Sequence, residues 1–192
     1  MSREVRQDMQ IWQAFLRDFN GSVVWRSQPR SNAELGLFTD SAGSVGFGAI
    51  LGSAWCAQRW PVQWEEWGLL ANIGFLELFP IWVALAVWPE QFRNQSVVFW
   101  SDNMSVVECI NQQAARCGMI LRVLKEIVLL CLRLNVSFRA KHVPGVLNNA
   151  ADALSRFKMQ EFRQHHPGAA DHPAPFPVHL WQIGAPAYQT SW

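Results

Sequence analysis

The chain has 192 residues, half of them apolar, with eleven Trp and a formal net charge of +1. Such a composition supports one domain with a sizeable core and excludes a disordered chain. No apolar run reaches the ~18 residues of a membrane-spanning helix, and the opening MSREVRQDMQIW lacks the basic-then-apolar layout of a secretory signal.

The amphipathic first segment, residues 3–19, places Val5, Met9, Trp12, Leu16 and Phe19 at spacings of three and four, which predicts a helix. Asn20 and Gly21 break it, and residues 21–34 read as a polar connector. Residues 35–60 change period. Three short β-forming runs separated by Gly and Ser predict an antiparallel meander of strands near 35–40, 46–53 and 55–60, followed by a Trp-rich loop over 61–72.

Leu78, Trp82, Leu85 and Trp88 share one face of a helix predicted over 74–88. Pro80 requires that helix to begin close to Leu76, because a proline deeper inside loses a backbone bond at a cost of ~3 kcal/mol. SVVFWSD, residues 96–102, reads as a buried strand. Helices follow over 104–114 and 118–134, the second closed by Asn135, and VSFRAKH (136–142) is a fifth strand. Asn148 or Asn149 then caps a last helix, AADALSRFKMQEF. The stretch from Pro167 holds five of the ten prolines and reads as a tail or docking segment outside the core.

The predicted fold is therefore α/β, a five-stranded mixed sheet with three antiparallel and two parallel strands flanked by helices. Its parts are an N-terminal helix and connector (1–34), the main domain (35–157) and a C-terminal helix end with a proline-rich tail (158–192). Cys56, Cys109, Cys117 and Cys131 show no CxxC spacing and lie in apolar segments. They read as buried free thiols in an intracellular, reducing compartment, with cytoplasm and nucleus left open. Charge is unevenly spread: residues 31–115 hold two basic against eight acidic residues, and residues 116–163 hold nine basic against three acidic. The first half suits a cation-binding acidic cluster and the second a phosphate-facing surface.

Four carboxylates stand where core building would avoid them. Asp40 interrupts the first strand, Glu77 lies in the apolar run IGFLELFPIW, Asp102 follows VVFWS, and Asp152 lies in NNAADALS. With the first and fourth strands as central neighbours, Asp40 and Asp102 would meet, and the two helix starts would bring Glu77 and Asp152 near them. Carboxylates so packed repel one another, and oxygen-rich sites of this kind suit Mg²⁺ or Mn²⁺. Two such ions ~3.5–4 Å apart activate a water and stabilise a leaving oxygen.

FTDSAGSVGFGAIL, LELFPIWVAL, WSDNMSVV and KHVPGVLNNAADALSR together resemble the four successive motifs of the ribonuclease H domain of retroelement reverse transcriptases. RQDMQIWQAFLRDFNG, SRFKMQEFR and the proline-rich exit to HLW extend the likeness towards DIRS-type tyrosine-recombinase retrotransposons. The resemblance implies that Asp40, Glu77, Asp102 and Asp152 hold two Mg²⁺ or Mn²⁺ ions. It implies that His142 is the mobile histidine that relays a proton or helps product leave. Ser41, Asn72, Asn103, Lys141 and Asn149 are the candidate nucleic-acid contacts beside the motif acids. The four histidines of the tail lack cysteine partners, and no zinc site is expected there.

The implied activity is hydrolysis of the RNA strand of RNA–DNA hybrids during reverse transcription. A polymerase domain, of which this chain carries no YxDD motif, is the implied partner. On this reading the sequence is a piece of a longer polyprotein or a surviving fragment of one, with no membrane association. A competing expectation is a non-catalytic remnant that binds nucleic acid or a polymerase without cutting. A proofreading exonuclease fits less well, since Ser41 and Ala42 follow Asp40 where a DxE arrangement would be needed.

Overall fold

Residues 3–18, 30–186 and 188 are described in a computed structural model of the chain, and they form a mixed α/β architecture. Helix α1 (Arg3–Asp18) is followed by a two-residue strand β1 (Arg30–Ser31) and a helical turn α2 (Asn32–Leu35). Strands β2 (Leu37–Ala42), β3 (Gly46–Leu51) and β4 (Ala54–Arg59) come next, then α3 (Val62–Glu66), α4 (Ile73–Val87) and α5 (Pro89–Phe92). Strand β5 (Ser96–Ser101), helices α6 (Met104–Gln112) and α7 (Gly118–Leu134), and strand β6 (Ser137–His142) precede the last two helices, α8 (Asn149–Ser155) and α9 (Met159–His165). Most of the predicted connector lies outside the described residues.

β2, β3 and β4 form the expected antiparallel meander, with Asp40 opposite Gly48 and Gly48 opposite Ala57. β5 and β6 pair in parallel, with Ser101 opposite His142. The single five-stranded sheet is corrected. On its other edge β5 pairs with β1, at Arg30↔Val97 and Ser31↔Val98, while β2 belongs to a separate sheet with β3. The turn α2 and Gly36, at a φ of 66°, redirect the chain between β1 and β2. Gly36 passes so close to Gly52 that its carbonyl accepts the Gly52 N–H at 3.0 Å, and a Cβ there would stand 3.0 Å from that nitrogen.

One face of the meander, with Leu37, Phe47, Ala49 and Cys56, packs into the main core around α4. The opposite face, with Ile50, Trp55 and Ala57, packs on Leu154 and Phe162 of α8 and α9. α4 is apolar on nearly every side and touches β2, β3 and α7, as a helix at the centre of a domain must. It begins at Ile73, not near Leu76, so Pro80 lies inside it. Asn72 caps it, Oδ1 accepting the Phe75 N–H at 3.1 Å.

Other expectations also change. The last helix is divided at Phe157, which takes a left-handed conformation (φ 58°) and packs against the cluster between the meander and α8–α9, with the Arg59 guanidinium 4.6 Å over its ring. Cys56 and Cys131 are buried, but Cys109 and Cys117 are partly exposed. The C-terminal stretch joins the core, because its aromatic and aliphatic side chains complete a cluster that the Trp-rich loop leaves open. Leu180 and Ile183 are buried, Trp181 stacks on Phe79 at 5.2 Å between ring centroids, and Trp64 Nε1 donates to the Trp181 carbonyl. Before that, Trp55 Nε1 donates to the Ala170 carbonyl at 2.7 Å. At its end the Tyr188 hydroxyl donates to Glu126 Oε1 of α7 at 2.8 Å, and burial pushes Glu126 up to about 7.

Replacing Trp181 with Ala should therefore lower stability by about 3 kcal/mol, read as a shifted urea midpoint. A segment that merely trails from the domain would leave the midpoint where it is.

Candidate functional site

Asp40 lies on the meander face that looks towards α8. Gly48, its ladder partner, has no side chain to hold α8 away: a Cβ there would stand 2.9 Å from Leu154 Cβ and 3.0 Å from the Ala151 carbonyl oxygen. The close approach brings Ser155 to Asp40, whose Oδ2 accepts the Ser155 hydroxyl at 2.6 Å. Asp152, one turn earlier on α8, pairs with Arg156 at 2.8 Å. Asn148 does not cap α8 with its side chain; its Nδ2 donates to the Thr39 carbonyl at 2.8 Å and ties the start of α8 to β2.

Glu77 points from α4 into a cavity of about 200 Å³ whose lining includes Thr39, Ile81, Trp100, Asp102 and Asn148. Asp102 follows β5 and is exposed; a Cβ on Gly145 would stand 3.1 Å from its Oδ2, so the 145–147 turn closes against it. His142 ends β6 beside it, with Nε2 3.2 Å from the Asp102 carbonyl oxygen.

The four acids share one electrostatic neighbourhood. Burial, and the charges of Asp152 and Asp102, raise Asp40 to about 6 despite the hydrogen bond from Ser155 and the charge of Arg156. Burial, then Asp40 and Asp102, raise Glu77 to about 8. Among the described residues no three His, Cys, Asp or Glu side chains are already arranged as a ligand set. Burial is the larger cause of both shifts and carboxylate repulsion the smaller; all-oxygen donors of this type are those a hard divalent cation takes. Asp40, Glu77, Asp102 and Asp152 are the carboxylates that a cation entering this region would meet.

The candidate nucleic-acid contacts divide into two groups. Lys141 and Asn149 are exposed. Ser41, Asn72 and Asn103 have structural partners: Ser41 Oγ donates to the Leu76 carbonyl, Asn72 Nδ2 donates to Cys117 Sγ at 3.2 Å, and Asn103 Oδ1 accepts the Ser105 and Val106 N–H groups at the start of α6. Sequence reasoning missed Ser155, Arg156 and Gly48. Arg156 was readable as the i+4 partner of Asp152 on a helix. Ser155 and Gly48 act only across the α8–meander contact, which no local pattern signals.

Comparison of the chain with protein-family models, with curated proteins and with solved structures finds no match.

Because the folded-state values of Asp40 and Glu77 lie above those of free carboxyls, the stability these groups allow is full below about pH 4. It is lost as pH rises through about 6 and then about 8. In cation-free buffer, Glu77→Gln should raise the thermal midpoint by about 3 °C at pH 8.5 and leave it unchanged at pH 4. An equal shift at both pH values would show that charge is not what Glu77 contributes.

Proposed function

We propose that this chain is a ribonuclease H-like endonuclease that hydrolyses the RNA strand of RNA–DNA hybrids during retroelement reverse transcription. The observation that carries the reading is that Glu77 and Asp102 line one cavity, and that Asp40 feels the charges of Asp102 and Asp152 while Glu77 feels those of Asp40 and Asp102. The order of elements supports it too: an antiparallel meander, a helix, then two parallel strands joined through helices.

Asp40, Glu77, Asp102 and Asp152 would hold two Mg²⁺ or Mn²⁺ ions. When bound, such ions activate water and neutralise charge on the leaving oxygen of a phosphodiester. The chain's own groups do the rest. Ser155 orients the Asp40 carboxylate, and Arg156 offsets the charge of Asp152. His142, exposed beside Asp102, moves a proton at its imidazole or helps product leave. Lys141 and Asn149 present donors to phosphate oxygens and to the 2′-hydroxyls by which RNA differs from DNA. A polymerase domain is the proposed partner that delivers the hybrid.

Labelled hybrid, duplex DNA and duplex RNA incubated with and without Mg²⁺ or Mn²⁺ test the reading. The expected result is cation-dependent loss of the RNA strand of the hybrid alone. Asp102→Asn should reduce it by about 100-fold or more with an unchanged circular dichroism spectrum, since Asp102 is exposed. Full cleavage by that variant would sink the assignment. A folded parent chain that neither cuts nor binds Mn²⁺ would instead identify a non-catalytic scaffold.

A further inference from the structure

Pro80 sits inside α4, and a proline has no N–H to give to the carbonyl four residues before it, here that of Leu76. Inside a buried helix such a carbonyl needs another donor. Ser41 supplies it: its hydroxyl donates to the Leu76 oxygen at 2.5 Å, across 35 residues of sequence.

The neighbours of these two residues matter. Ser41 follows Asp40 directly, and Leu76 precedes Glu77 directly. A single hydrogen bond therefore ties the backbone of the strand bearing one acid to the backbone of the helix bearing the other. The strand is held in register on its far side by the ladder, with Ser41 opposite Phe47, and the helix is held at its start by the Asn72 cap. Between those anchors, the Ser41–Leu76 bond is a direct polar link from β2 to the turn of α4 that carries Glu77.

We propose that Ser41 is a positioning residue that sets Glu77 against Asp40, and that the proline in α4 is what makes the Leu76 carbonyl receptive to it. The role rests on the cation-site reading above. Ser41, expected from sequence to touch nucleic acid, acts through the two acids.

The test is a double-mutant cycle on the full chain, with Mn²⁺ alone as the probe. Affinity is read by calorimetry, the bound ion by its paramagnetic resonance spectrum, and folding by circular dichroism. Ser41→Ala should weaken Mn²⁺ binding about tenfold, as loss of a residue that orients metal ligands does. Ser41→Thr, which keeps the hydroxyl, should bind like the parent. In a Pro80→Ala background the N–H of residue 80 returns to the Leu76 carbonyl, and Ser41→Ala should then cost about twofold or less. Should Ser41→Ala not fold, Ser41→Cys, of similar shape and a weaker donor, takes its place in the cycle.

Equal losses in both backgrounds, or no loss from Ser41→Ala, would overturn the positioning role and leave the cation site standing. A folded parent that binds no Mn²⁺ would overturn the cation site, and the positioning role with it.

Discussion

Helix α4 is buried on almost every side, and the rest of the molecule is arranged around that burial. Phe75, Leu78, Phe79, Val83 and Leu85 are wholly removed from water, which at about 25 cal/mol per Å² makes this helix a large apolar contribution to folding. The meander covers one side of it and α7 another, while the Trp60–Trp64–Trp181 cluster closes around Phe79. A helix so enclosed has little freedom to slide. A carboxylate placed on it, Glu77, is accordingly held at a defined depth inside the domain.

That depth creates tension. Asp40 and Glu77 are both short of water and both feel other carboxylates, so each resists ionisation. Ser155 and Arg156 relieve part of the charge on the α8 side, but among the described residues no cationic side chain compensates Glu77. A buried carboxylate of this kind costs stability that an apolar residue of the same size would not.

Much of the architecture was legible locally. Short β-forming runs set apart by Gly and Ser marked three strands, and Asn135 marked the end of α7, where the structure shows it in a left-handed conformation; the four acids stood out because core building would avoid acids at their positions. Three features were not legible. Pro80 argued for a later helix start, because its cost is usually met by moving the helix end; here a serine from another element meets it. The proline-rich C-terminal stretch read as a tail or docking segment outside the core, yet Leu180, Trp181 and Ile183 pack into it. The division of the sheets at Gly36 could not be read from residues 35–40, which have strand character throughout.

Local pattern by itself determined the long helices and the longer strands, and which residue types are available for chemistry, because periodicity and propensity depend on neighbours a few positions away. Only the tertiary structure decided which strand pairs with β5, where Trp181 and Tyr188 pack, and which partners Ser41, Gly48 and Ser155 find. Those outcomes depend on contacts between residues tens of positions apart, where the gain is shared between two surfaces and neither segment carries it alone.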